Sequence, residues 1–213
     1  MNIEGAIFDL DGVISKTEKV HAKAWKDLFD EFLINQSKSG DVEYLEFDQD
    51  LDYLRYVDGK PRIDGIKSFL KSRDIYLQMG DSKSDEENLH TYTGLGNKKD
   101  KLFNKYIDTY GIDVYESTIE LIHKLDFAGK KLFVASSSKN CRKILRVAGL
   151  EKIFQGIYDG TDLVKDNVPG KPEPFLFLNV IKDHDLDTRN TVVFEDAVAG
   201  VQSAKAGGFY TIG

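Results

Sequence analysis

The segment IFDLDG at residues 7–12 constrains the fold of this chain most, because a short apolar run ends in two carboxylates. Residues Ile3 to Phe8 have the composition and length of a buried strand that ends at a turn signal. Asp9 and Asp11 are close enough for their charges to repel unless one is protonated or a cation lies between them. Gly12 lets the backbone turn sharply beside a ligand. The pattern favours a binding site at a strand end over an ordinary turn.

Later segments repeat the first strand and alternate with helical patterns. The further strands are predicted at Lys131–Ala135, Gly156–Tyr158, Thr191–Phe194 and Phe209–Ile212. Apolar residues recur at helical spacing between them, across 119–125, 141–148 and 198–204. This alternation predicts an α/β fold with a doubly wound parallel sheet and helices on both faces.

Residues 16–100 interrupt the alternation. Val20, Ala24, Leu28 and Phe32 form a helical apolar stripe, and the segment contains no convincing buried strand. We therefore predict a core domain of residues 1–15 and 101–213 and an inserted helical cap domain of residues 16–100. An insert at this point would lie over the carboxyl ends of the strands, where open α/β sheets bind ligands. The last strand has no helix after it, which suggests a core domain truncated at its C-terminus.

Composition narrows the class of protein. The 213 residues carry a net charge of −7, which gives no electrostatic footprint for nucleic acid and no polybasic membrane patch. The single cysteine, Cys141, fits a reducing compartment. No apolar run approaches the ~18 residues of a membrane span, and the N-terminus lacks the basic region of a secretory signal. We expect a soluble cytoplasmic protein, either a monomer or a piece of a larger multidomain enzyme.

Polar residues follow the other predicted strands as well. Ser136 and Ser137 come directly after the second strand, and Glu195 and Asp196 directly after the fourth. Lys171 lies in the turn-rich loop 169–172. Because the carboxyl ends of parallel strands share one edge of the sheet, we expect these side chains to lie beside Asp9 and Asp11.

The charges of this group suit a phosphate. With Asp11 protonated, the other three carboxylates contribute about −3, which one Mg²⁺ ion and Lys171 offset. A phosphate dianion would then need further donors, which the Ser136 hydroxyl and the amides of the following helix can supply. A carboxylate nucleophile, an acid, a metal and phosphate donors together indicate phosphoryl transfer.

Four motifs in this order resemble those of the haloacid dehalogenase superfamily. They are Asp9-Leu10-Asp11-Gly12-Val13, Ser136, Gly170-Lys171-Pro172, and Glu195-Asp196 followed by Gly200. The resemblance implies a Rossmann-like core with a helical cap inserted after the first motif. It also implies that Asp9 becomes phosphorylated and that Asp11 acts as general acid and base.

The same resemblance assigns the ligands. Ser136, Ser137 and Lys171 would hold the phosphate. The Mg²⁺ ion would be bound by Asp9, the backbone carbonyl of Asp11, Asp196, and Glu195 directly or through water.

Within the superfamily the chain is most similar to the β-phosphoglucomutase group. The similarity rests on segments 21–25, 98–100 and 135–140, and on a cap segment from Tyr56 to Arg62 that is shared with sugar-phosphate hydrolases. By this match Arg62 falls where the cap arginine of the mutase grips the distal phosphate. His21 and Lys99 also fall on cap positions of the mutase.

Three hypotheses follow. The first is a Mg²⁺-dependent phosphatase that acts through an aspartyl-phosphate on a small phosphorylated metabolite, a sugar phosphate above all. The alternative is β-phosphoglucomutase, which interconverts β-glucose 1-phosphate and glucose 6-phosphate. Lys16, where relatives carry aspartate, and the long cap do not decide between these two. The third is a non-enzymatic, receiver-like phospho-acceptor domain, which the position of Asp9 on the first strand disfavours.

Overall fold

The structure is a computed structural model that describes residues 3–38, 40, 44–58, 60–81, 85 and 88–213. The chain divides into two compact units, one of Met1–Thr17 with Ile112–Gly213 and one of Glu18–Gly111. Gly59, which belongs to the cap segment named above, lies outside the described residues. None of the helices in the described ranges combines the length and the hydropathy that crossing a membrane requires.

The first unit is built on a parallel sheet of five strands. In chain order these are β1 Gly5–Phe8, β2 Lys131–Ala135, β3 Gly156–Tyr158, β4 Thr191–Phe194 and β5 Tyr210–Ile212. The strand order is β3-β2-β1-β4-β5, and Phe8 is in register with Val134 on one side and Phe194 on the other. The predicted α/β class and parallel sheet are confirmed, and β1 lies at the centre.

Eight α-helices occur in the described ranges. They are α1 Glu18–Lys38, α2 Arg62–Ser72, α3 Tyr92–Tyr110, α4 Glu116–Phe127, α5 Cys141–Val147, α6 Gly160–Asp166, α7 Phe175–His184 and α8 Val198–Ala206. Short 3₁₀ turns occupy Glu151–Ile153 and Thr188–Asn190, and a π-helical turn occupies Tyr53–Val57.

Helix packing against the sheet makes the core of the first unit. Ile7, Phe133, Val193 and Phe177 belong to one cluster of fully buried side chains that joins strands β1, β2 and β4 to α7. All four residues of β1 are buried, as expected for a central strand covered on both faces. This burial fixes the central strand and, with it, the position of the residues that follow it.

The second unit is helical in its described residues. Helices α1, α2 and α3 enclose an aromatic core in which the Phe29 and Phe69 rings lie 4.1 Å apart, and Trp25 stacks on Phe29 at 5.2 Å. Helix α3 begins where the Thr91 hydroxyl caps the Gly94 amide at 3.0 Å.

The far end of α3 bears on the predicted domain boundaries. The predicted boundary between residues 100 and 101 falls inside this helix, which continues to Tyr110. Gly111, with φ of 74°, follows its last residue as the C-cap. The spatial division follows Thr17 and Gly111 instead of residues 15 and 100. The reason is that α3 still packs against α1 beyond residue 100, since the Tyr106 hydroxyl donates to Asp27 of α1.

Candidate active site

The backbone hydrogen bonds of the sheet continue for one residue beyond the ends of β1, β2 and β4. The residues that follow these strands therefore lie at one edge of the sheet. The Asp9 amide donates to the Phe194 carbonyl at 2.9 Å, and the Ser136 amide donates to the Tyr158 carbonyl at 2.9 Å. The Glu195 amide donates to the Ile212 carbonyl at 3.0 Å. Asp9, Ser136 and Glu195 are therefore held by the sheet itself, and all three are buried.

Three carboxylates gather there. Each of Asp9, Glu195 and Asp196 offers an oxygen atom, and these atoms all lie within 4.8 Å of one another. Gly12 permits this approach because a Cβ at that position would lie 2.0 Å from Asp196 Oδ2, and its φ of +83° also favours glycine. The group could hold a metal ion, since clustered carboxylate oxygens are the ligands that hard divalent cations prefer.

Lys171 lies against the same carboxylates. Its Nζ is 2.5 Å from Asp9 Oδ1 and 2.5 Å from Glu195 Oε1, and it also donates to the Ala135 carbonyl at 3.1 Å. The Phe177 ring lies 5.1 Å from the ammonium. Burial opposes the charge, but the Asp9 and Glu195 carboxylates outweigh it and raise the pKa of Lys171. Lys171 is thus a fixed cation beside Asp9.

Glu195 is the most enclosed acid of the site. Its Oε2 accepts a hydrogen bond from the Ala197 amide at 3.1 Å. A Cβ at Gly200 would lie 1.7 Å from Glu195 Oε1, so the first turn of α8 leaves room for the carboxylate only because residue 200 is glycine. Burial and the charge of Asp9 raise the pKa of Glu195 to about 7, against the opposing effect of Lys171.

Asp11 points to a different set of partners. Its Oδ1 accepts a hydrogen bond from the Thr17 hydroxyl, and the Ser15 hydroxyl lies 3.5 Å from the same oxygen and 3.1 Å from that of Thr17. Ser15 and Thr17 are fully buried polar residues that the sequence prediction missed. No pattern near Asp11 signalled them, since Val13 and Lys16 break any alternation of polar and apolar residues there.

The serines after β2 differ in exposure. The Ser136 hydroxyl is buried and accepts a hydrogen bond from the Ser138 amide at 3.1 Å, whereas Ser137 is exposed. A side chain added at Gly170 would lie 3.8 Å from the Ser137 hydroxyl, so the loop that carries Lys171 runs beside the serine loop. The structure brings Ser136, Ser137 and Lys171 to one region, and their phosphate contacts stay a prediction.

His21 and Lys99 are in contact inside the helical unit, and the charge of Arg62 acts on His21 as well. Lys99 Nζ lies 2.6 Å from His21 Nδ1, and the His21 ring stacks on Phe103 at 4.1 Å. Burial lowers the pKa of His21 well below its ordinary value, and the charges of Lys99 and Arg62 lower it further. His21 is therefore neutral and accepts from the buried Lys99 ammonium.

Comparison with known proteins identifies the family. The model of the haloacid dehalogenase-like hydrolase family matches residues 3–208 of this chain. The chain belongs to the haloacid dehalogenase-like hydrolases. It is accordingly an enzyme of this hydrolase family.

Two of the curated relatives are named for different activities. The chain is 36% identical over 210 residues to a β-phosphoglucomutase of Mycobacterium bovis, covering 99% of this chain and 80% of that protein. It is 26% identical over 213 residues to a phosphorylated carbohydrates phosphatase of Thermotoga maritima, covering 99% of this chain and 84% of the relative. These names describe the relatives.

Solved structures agree on the fold. A β-phosphoglucomutase from Clostridium difficile superposes with a TM-score of 0.77 at 23% identity, covering 99% of this chain and 84% of that one. At this identity the likeness shows that this hydrolase shares the fold.

Proposed function

We propose that this enzyme is a Mg²⁺-dependent phosphatase that transfers the phosphoryl group of a small phosphorylated sugar to Asp9 and then to water. The observation that carries the proposal is the joint placement of Asp9, Glu195, Asp196 and Lys171 at the carboxyl edge of the sheet. Three acids and one cation around a central strand end match what phosphoryl transfer needs.

The acidic group fits Mg²⁺. Its donors are carboxylate oxygens, and the missing side chain at Gly12 admits the Asp196 carboxylate, which is the exposed member of the three. Asp9, Glu195 and Asp196 would hold the ion, together with the Asp11 carbonyl that the family resemblance assigns. Bound there, Mg²⁺ would neutralise charge on the phosphate oxygens.

The protein groups divide the two steps between them. In the first step, an Asp9 carboxylate oxygen forms a bond to phosphorus as the bond between phosphorus and the sugar oxygen breaks. Asp11 donates its proton to the sugar oxygen as this oxygen leaves. In the second, Asp11 takes a proton from water as the water oxygen attacks the aspartyl-phosphate and frees the Asp9 carboxylate. The Lys171 ammonium, 2.5 Å from Asp9 Oδ1, orients the nucleophile and offsets charge on the transferred group.

A second candidate function is the phosphomutase. In that reaction a sugar hydroxyl replaces water as acceptor, and the intermediate is a sugar with two phosphates. The observation that favours it is the cationic cluster of Arg62 and Lys99 in the inserted unit, together with the 36% identity to a relative named β-phosphoglucomutase. Arg62 would bind the phosphate that is not being transferred, with His21 and Lys99 beside it.

One assay separates the two. Purified protein with Mg²⁺ is given β-glucose 1-phosphate, with and without glucose 1,6-bisphosphate, and both glucose 6-phosphate and free phosphate are followed. Free phosphate alone supports the phosphatase, and a panel of sugar phosphates then identifies the substrate. Glucose 6-phosphate without phosphate release supports the mutase. Absence of both products across the whole panel would contradict the substrate class.

A further inference from the structure

Arg62 is held by two acceptors on the neighbouring helix. It is the first residue of α2, and its Nη2 donates to Asp100 Oδ1 at 2.6 Å while its Nη1 donates to the Gly96 carbonyl at 3.2 Å. Gly96 and Asp100 are one helical turn apart on α3 and so lie on one face of it. A Cβ at Gly96 would lie 3.0 Å from Ile63 Cδ1, the flexible end of that side chain, so α2 and α3 are closely packed here.

These two hydrogen bonds orient the guanidinium and occupy two of its N–H groups. A guanidinium has five N–H donors in a rigid plane, and the contacts to Gly96 and Asp100 occupy one donor on each terminal nitrogen. In the part of the chain that the structure describes, Arg62 donates to these two acceptors, so the planar fork keeps donors for an anion, and phosphate is the group that such a fork binds in bidentate fashion.

Asp100 also balances charge within the cluster. Arg62 donates to Asp100, the residue that follows Lys99 in α3, and the charges of Arg62 and Lys99 both act on His21. Lys99 is 4% exposed, so repulsion between these cations is less screened than at the surface. Without a carboxylate partner, the long Arg62 side chain would be pushed outward and would regain its rotamer freedom.

We propose that Asp100 is a positioning residue for a second phosphate group: it holds the Arg62 guanidinium in the orientation that binds this group. The inference rests on the role proposed above for Arg62 and adds the residue that prepares it.

The test measures how strongly glucose 1,6-bisphosphate inhibits hydrolysis of p-nitrophenyl phosphate, which has one phosphate. The variants are Asp100→Ala, Asp100→Asn, Arg62→Ala and the Arg62→Ala/Asp100→Ala pair. Asp64→Ala, which removes an exposed acid from the first turn of α2, is the matched control. Asp100 is 36% exposed and alanine favours helix, so the Asp100→Ala protein is expected to fold.

Positioning predicts a specific pattern. Asp100→Ala should raise the inhibition constant of the bisphosphate about tenfold, the effect of losing one charge-assisted hydrogen bond. It should leave kcat and KM for the aryl phosphate unchanged and should add nothing in the Arg62→Ala background. Asp100→Asn keeps an oxygen acceptor for Nη2 and should stay within about threefold of the parent protein.

Other patterns of inhibition would overturn the inference, and each one shows whether the role of Asp100 or the role of Arg62 has failed. If Arg62→Ala weakens inhibition and Asp100→Ala does not, Arg62 binds the phosphate and Asp100 does not position it. If both Asp100 variants strengthen inhibition, Asp100 competes with the phosphate for Arg62. If Arg62→Ala has no effect, or the bisphosphate does not inhibit the parent protein, the role of Arg62 is refuted, and that of Asp100 falls with it. Equal losses on the aryl phosphate would mean structural damage instead of positioning.

Discussion

Replacing Gly200 with alanine tests how Glu195 is held in the site. The added Cβ would lie 1.7 Å from Glu195 Oε1, 1.9 Å from Cδ and 2.3 Å from Oε2, so the carboxylate must move. The Glu195 side chain is only 1% exposed, and its two oxygens accept hydrogen bonds from Lys171 and from the Ala197 amide. Movement therefore disturbs the buried ion pair and the amide contact together.

The magnitude follows from these contacts. Overpacking a buried site costs about 1–3 kcal/mol, and we take the two weakened contacts together to cost about as much as one lost hydrogen bond to a charged group, about 1.5–3 kcal/mol. Alanine returns roughly 1 kcal/mol in helix propensity at this position in α8. We expect the free energy of unfolding to fall by about 2–5 kcal/mol, and phosphatase activity to fall with it because Glu195 belongs to the acidic group.

Urea unfolding followed by circular dichroism measures this change in three backgrounds. With Glu195 present, Gly200→Ala should destabilise the protein. With Glu195→Gln, which keeps the shape and removes the charge, it should still destabilise. With Glu195→Ala, the clash disappears and Gly200→Ala should become neutral or stabilise by up to roughly 1 kcal/mol. Equal destabilisation in all three backgrounds would refute the argument that Gly200 makes room for Glu195.

Three further predictions concern the nucleophile, the metal and the helical unit. Asp9→Asn should abolish release of phosphate while leaving the circular dichroism spectrum unchanged, and turnover near that of the parent protein would contradict the nucleophile assignment. Removing divalent ions with EDTA should abolish activity, and Mg²⁺ should restore it; full activity after exhaustive chelation would count against a metal at Asp9, Glu195 and Asp196. The folded-state pKa of His21 lies below its unfolded value, so just below about pH 6.5 only the unfolded state binds the extra proton, and the contribution of His21 to stability should fall by up to about 1.4 kcal/mol for each unit that the pH falls. Trp25 fluorescence in urea at pH 7.5 and 5.5 measures stability in the parent protein and in His21→Gln, and Glu195, with its raised pKa, contributes the opposite slope to both proteins. The parent protein should therefore lose more stability, or gain less, than His21→Gln between these pH values, and equal slopes would exclude the contribution of His21.

Much of the fold could be predicted because its strands are buried on both faces. Apolar runs that end at polar residues are visible in a sequence, and parallel topology brings their carboxyl ends to one edge. That argument is enough to place Asp9, Ser136 and Glu195 together, although they are far apart in the chain. The end of α3 was less predictable, because nothing in the local pattern near residue 100 shows that the helix continues to Tyr110 along α1.

The sequence could not predict which side chains contact each other, for a different physical reason. Periodicity tells which face of a helix is buried, but the pairing of Arg62 with Asp100 depends on how α2 and α3 pack against each other in three dimensions. The contact of Lys171 with the Ala135 carbonyl involves a backbone atom that every residue has, so no residue type signals it. Gly12 and Gly200 are the instructive intermediate case: a sequence shows the glycine, but only the structure shows that each makes room for a particular carboxylate. The acidic site is thus specified as much by the side chains that are missing around it as by the acids themselves.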